Sequence, residues 1–152
     1  MHIADIEWHR LRAHLSGAEG VPDLLAEFQR TKSVADYDRL NDLICGDGCL
    51  VPSEAAVAAL PFIVETIAAS PDISSEVLAS AAWLGALITA YHWKGDEIEQ
   101  QARVWRSAET MASFARLRLK RELRNSDRDY LRAAIAFGER KPEIALDIID
   151  AA

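Results

Sequence analysis

Leu43 to Pro71 reads LICGDGCLVPSEAAVAALPFIVETIAASP, a stretch in which one helix ends, the chain reverses at glycine and an apolar helix begins. Gly46 and Gly48 flank Asp47 and supply two positions that accept positive φ, as a helix C-cap and the reversal after it require. Ser53 then reads as an N-cap, Glu54 sets a carboxylate at the N-terminal dipole, and Pro52 restricts the approach. Val57, Leu60, Ile63, Val64 and Ile67 follow at spacings of three, three, one and three, which is helical periodicity. Pro61 inside this run removes one backbone hydrogen bond and predicts a bend. A strand is the poorer reading, because the run is long and rich in alanine. Two helices joined by a sharp turn point to stacked helical hairpins.

The rest of the chain repeats the theme. On the N-terminal side, Asp5 to about Leu15 predicts a short helix with Ile6, Trp8, Leu11 and Leu15 facing the core, ended by Ser16 and Gly17. Pro22 opens a second helix with Leu24, Leu25 and Phe28 as its apolar stripe, and Ser33 caps a third that runs through Tyr37, Leu40, Leu43 and Ile44 to Cys45. On the C-terminal side, Ser70-Pro71-Asp72 breaks the chain and Ser74 or Ser75 starts a helix to Tyr91 with Val77, Leu78, Ala81, Leu84, Leu87 and Ile88 inward. Ala79, Ala82, Gly85 and Ala86 make that helix small enough for a neighbour to pack closely. Lys94-Gly95-Asp96 marks the next break. A helix from about Glu97 to Leu123 follows, either unbroken or interrupted near Ser107 or Ser113. Asn125-Ser126-Asp127 punctuates, Arg128 to Phe137 is helical with Gly138 as its cap, and Pro142 opens a last helix carrying Ile144, Leu146, Ile148 and Ile149.

The expectation is a single all-α domain over residues 1–152, its antiparallel hairpins either stacked as a short solenoid or closed into a bundle. Hairpins of about 40 residues with a proline in the first helix favour the solenoid. With 152 residues, 50% of them hydrophobic and 27% charged, the chain has enough apolar material for a core without disulfides or metals. No apolar run reaches the roughly 18 residues of a membrane span, and MHIADIEWHRLR lacks the basic-then-apolar pattern of a signal peptide. The expected compartment is the cytoplasm, where Cys45 and Cys49 read as reduced thiols. His2, His9, His14 and His92 lack metal spacing, and neither HExxH, paired CxxC, a phosphate loop nor GxGxxG is present. No metal, cofactor or catalytic residue is therefore expected.

The net charge of −7 is unevenly spread: residues 1–102 carry 16 acidic and 6 basic side chains, and residues 103–152 carry 8 acidic and 11 basic. The chain is acidic at one end and basic at the other. An acidic front suits a basic protein partner and not nucleic acid, because complementary potentials speed encounter and disfavour wrong partners. Asp36, Asp38, Asp42 and Asp47 cluster on one helix and its turn, and Asp38 and Asp42 share a face at a spacing of four. Arg116 to Arg124 is the opposite feature, a basic run that Glu122 interrupts and no aromatic interleaves. Trp93, beside His92 and Lys94 at a helix end, is a candidate interface anchor.

The block LNDLICGDGCLVPSEAAVAALPFIVETI resembles the bacterial HEAT-like repeat proteins, in which a helix, a glycine-containing turn, an alanine-rich helix and an Ala-hydrophobic-Pro-aromatic step occur in that order. Ala59, Leu60, Pro61 and Phe62 match the step. The turn departs from the His-Gln-Gly often found in such proteins, since Gly46-Asp47-Gly48 stands there. The resemblance covers about 30 residues directly and about 60 with Ser74 to Tyr91 as the partner helix. It implies a protein-binding module, more concretely an immunity protein that masks a basic bacterial toxin such as a nuclease. On that reading Asp36, Asp38, Asp42 and Asp47 steer and contact the partner and Trp93 anchors it. Two alternatives stay open: a ligand-binding domain or enzyme built around the Gly46 to Cys49 turn, and a regulatory adaptor that uses the basic helix.

Overall fold

The computed structural model describes residues 2–46, 52–91, 98–121 and 125–151. Its helices are α1 (Val21–Thr31), α2 (Val34–Ile44), α3 (Glu54–Ala68), α4 (Ser75–Tyr91), α5 (Ile98–Leu119), α6 (Asn125–Gly138) and α7 (Pro142–Ala151). The described residues contain no strand, and their one β-type pairing is an isolated bridge between Arg12 and Gly17.

Local chemistry explains where the central helices begin. Ser33 Oγ accepts the Asp36 N–H at 3.1 Å to start α2, and Ser53 Oγ accepts the Ala56 N–H at 3.2 Å to start α3. The Ser53 hydroxyl also donates to the Ile44 carbonyl, which ties the start of α3 to the end of α2. Between them Gly46 takes φ +81°, the left-handed geometry expected of the turn. A side chain there would also meet the His14 ring, since a Cβ on Gly46 would sit 2.3 Å from His14 Cδ2. Helix α3 continues through Pro61, so the Val57 carbonyl loses its intrahelical donor. Val57, Leu60, Ile63, Val64 and Ile67 are all buried, as their spacing predicts.

Packing runs between neighbouring helices and between alternate ones. Helix α1 lies on α2 and α3, α3 on α4 and α5, α4 on α6, and α5 makes its most extensive contact with α6. Helix α7 covers α4 and α6. The groove between α3 and α5 has Pro61 beside Arg103 and Arg106 at one end and Ala68 beside Phe114 and Leu117 at the other, so these two helices run in the same direction. Helix α4 is buried around most of its circumference, with Val77, Leu78, Ala81, Ala82, Leu84, Ala86 and Ile88 all inside one continuous core. Each large side chain removed from water in this way contributes roughly 1.5–3 kcal/mol.

Several boundaries differ from the sequence expectation. The segment from Asp5 to Leu15 is not an α-helix but two short 3-10 turns, Ile3–Asp5 and Trp8–Arg10. Trp8 Nε1 donates to the Ile3 carbonyl at 2.8 Å, and the Arg12 backbone is held by Glu54 Oε2 at 3.1 Å, so tertiary bonds replace the helical ladder. Trp8 is buried, but Leu15 is 90% exposed instead of in the core. Helix α5 runs without a break past Ser107 and Ser113. There the Thr110 and Ser113 hydroxyls donate back to the Arg106 and Glu109 carbonyls, each at 2.9 Å. Its buried face includes Val104, Ala108, Met111, Ala112 and Ala115, while Ala102 is exposed. Helix α6 starts at Asn125, so Asn125-Ser126-Asp127 forms its first turn instead of a break.

The end of α6 differs too. Gly138 is helical, and the left-handed residue is Arg140 at φ 62°. The Lys141 N–H reaches the Ala136 carbonyl at 3.0 Å and the Arg140 N–H reaches that of Phe137 at 3.0 Å, the bond pair of a Schellman cap. Lys32, which ends α1 at φ 56° with its N–H on the Phe28 carbonyl at 2.8 Å, is the other non-glycine residue with positive φ among the described residues. It is exposed and makes no ion pair among the described residues. Lys32→Gly is therefore expected to stabilise the fold by about 1 kcal/mol, the cost a Cβ imposes in this region. Chemical denaturation would check this, and an unchanged or lower midpoint would show that the lysine stem contributes more than its backbone strain costs.

Candidate functional site

Helix α2 divides into two faces. Tyr37, Leu40 and Ile44 are buried on one side, and the Tyr37 ring meets Phe28 edge-on with centroids 5.5 Å apart. The other side carries the carboxylates. Asp36 is occupied within the helix start: its Oδ2 accepts from Thr31 Oγ1 at 2.6 Å and from Ser33 Oγ at 2.8 Å. Arg39 Nη1 lies 3.4 Å from its other oxygen. The Thr31 and Ser33 hydroxyls hold the Asp36 carboxyl below its ordinary value. This lowered value makes the cap complete at neutral pH and lost only as the pH falls through the acid range.

Asp38 and Asp42 have no such internal duty. Both are exposed, one turn apart, and neither has an ion pair among the described residues, since Arg39 is turned toward Asp36. Two like charges at this spacing repel by a few tenths of a kcal/mol, and a cation from outside relieves that repulsion. Asp47 and Trp93 lie outside the described residues.

A further exposed residue lies in the loop tied to the end of α2, and its helical spacing predicts a core position instead. The His14 N–H donates to the Leu43 carbonyl at 2.9 Å, which ties the loop containing Leu15 to the end of α2. Leu15, 90% exposed, is the most exposed large hydrophobic side chain among the described residues. The signal that could have found it is the bracket of short polar residues around it, Ser16-Gly17 above all, which favours a turn over a helix.

The turn after α2 offers little to a solvent-borne ligand on its described side. Cys45 is fully buried. Burial pushes the neighbouring Tyr37 phenol up, and Cys45 and Asp38 push it in the same direction. Cys49 and His92 lie outside the described residues. No group of three potential metal ligands comes together among the described residues.

The basic helix is partly consumed inside the molecule. Arg116 Nη2 pairs with Glu139 at 3.1 Å, and Lys141 joins the same carboxylate from the other side at 3.1 Å. These two cations hold the Glu139 carboxyl below its ordinary value. Arg140 stacks over the Trp105 ring, 5.2 Å from its centroid, and Arg118 donates to the Ile73 carbonyl. Lys120 and Arg121 are exposed without an ion pair among the described residues. Among the described residues no helix is long and apolar enough to cross a membrane. No protein-family model, curated protein or solved structure matches the chain.

Proposed function

We propose that the protein is a binding module that masks a basic protein partner, and that the partner is a bacterial toxin to which it confers immunity. The observation that carries this reading is the pair of exposed carboxylates, Asp38 and Asp42, one turn apart on α2 and without an ion pair among the described residues. Exposed charge of one sign steers encounter with an oppositely charged partner. Asp36 contributes by fixing the start of α2, and Asp47 and Trp93, which lie outside the described residues, are proposed partner contacts on the strength of the sequence alone. The helices are read as a short stack of hairpins related to the HEAT-like repeats. Packing from α1 to α3 to α5 in one layer and from α2 to α4 to α6 in the other supports this.

The test is comparative capture from a bacterial lysate with the tagged wild type and the tagged Asp38→Lys/Asp42→Lys variant, at low and high salt. The wild type is expected to retain a basic protein that salt releases, because exposed charge pairs are screened beyond about 8 Å at physiological ionic strength. Reversal of both charges is expected to weaken that complex by more than about tenfold with an unchanged melting temperature. Equal capture by the variant would remove the α2 surface from the interaction.

A further inference from the structure

The groove between α3 and α5 widens toward its C-terminal end into a recess of about 630 Å³. Its floor is apolar, formed by Ala68 and Pro71 on one side and Phe114 on the other, with Leu117 rising from the rim at 66% exposure. Three cations surround it, Arg118, Lys120 and Arg121, against a single carboxylate on the opposite lip, Asp72. Arg118 is held in place by its bond to the Ile73 carbonyl, so its charge is positioned before anything binds. Lys120 and Arg121 have no ion pair among the described residues. In a chain of net charge −7 this excess of positive charge is local, and it rests chiefly on Lys120 and Arg121, since Arg118 also borders a second recess lined by Asp72, Glu76 and Asp127.

We propose that this groove docks an acidic segment of a protein, with an apolar side chain seated against Phe114 and Leu117 and carboxylates paired to Arg118, Lys120 and Arg121. The site is separate from the α2 surface and takes a partner of opposite charge. Charge complementarity selects the occupant: a cationic rim over an apolar floor matches carboxylates flanking a hydrophobic anchor. The rim from Phe114 to Arg121 spans about 10 Å, enough for roughly two turns of a docked helix. A bilayer is a poorer fit, because a membrane-bound helix buries a broad apolar face and this rim offers one exposed leucine. Single-stranded nucleic acid is also a poorer fit, since the one aromatic ring, Phe114, lies half-buried in the floor and gives no stacking platform.

The test selects displayed random peptides of about a dozen residues on the full-length wild-type protein and measures the winners by fluorescence anisotropy. Enriched peptides are expected to be acidic with apolar residues at helical spacing. Leu117→Ser and Lys120→Glu/Arg121→Glu are each expected to weaken their binding by about tenfold or more, while Asp38→Lys/Asp42→Lys leaves it unchanged. All three sites are exposed, so melting temperatures should stay at the wild-type value, and each variant is compared only after that is measured. Failure to enrich any peptide, enrichment without acidic character, or binding indifferent to the groove variants would overturn the proposal. Binding to phosphatidylserine vesicles with the same dependence on Leu117 and Arg121, in place of peptide binding, would overturn it in favour of a lipid surface.

Discussion

Gly138→Ala is expected to lower the stability of the fold by about 2–3 kcal/mol and the melting temperature by about 5–10 °C. Propensity alone predicts the reverse. Gly138 is helical, and alanine is favoured over glycine in a helix by about 1 kcal/mol. The opposing effect is larger because of what lies across the interface: a Cβ at this position would sit 2.2 Å from Ala112 Cβ and 2.7 Å from the Ala108 carbonyl oxygen. Neither obstacle has a rotamer to change. Helix α5 must move away from α6, and these two helices share the most extensive contact in the molecule. Overfilling such an interface typically costs about 1–3 kcal/mol and at times more, which exceeds the propensity gain. Calorimetry of the single variant decides the matter: a melting temperature at or above that of the wild type would mean that the α5–α6 spacing is looser than described.

The same glycine shows what could be read from the sequence and what could not. Its place near the end of a helix suggested a cap, but glycine serves equally where two backbones approach, and only the neighbour distinguishes the two uses. That neighbour, Ala108, is thirty residues away in sequence. Helix α3 was legible because its signals are local, with Ser53 as cap and five apolar residues in register. The N-terminal segment was misread because Ile6, Trp8, Leu11 and Leu15 have a helical spacing that tertiary bonds override. Glu54, more than forty residues away, takes the Arg12 N–H. On α2, the pairing of Asp38 with Asp42 could be read from their spacing, whereas the diversion of Arg39 to Asp36 depends on side-chain geometry. The α3–α5 groove was not legible, because its floor joins Ala68 and Pro71 to residues about fifty positions later.

The largest coupled effect is expected between Gly85 and Phe137. Phe137 is fully buried, with its ring centroid 6.0 Å from that of Trp105, and it lies directly over Gly85 in α4. Phe137→Ala should cost about 3–5 kcal/mol, a large share of the roughly 5–15 kcal/mol that holds a domain together. Gly85→Ala should cost about 2 kcal/mol in the wild type, because a Cβ there would lie 2.3 Å and 2.4 Å from two ring carbons, Cε1 and Cζ. The ring cannot retreat while Trp105 stands beside it. Once Phe137 is alanine the obstruction is gone, and the same Gly85→Ala change should stabilise by about 1 kcal/mol through helix propensity. The sign of one substitution thus depends on the other, a coupling of about 3 kcal/mol, at the upper end for residues in contact. Urea denaturation of the two single variants and the double variant, with slopes checked for constancy, measures it directly. Additive effects would show that the Phe137 ring is not seated over Gly85, and with that the close packing of α4 against α6 would fall.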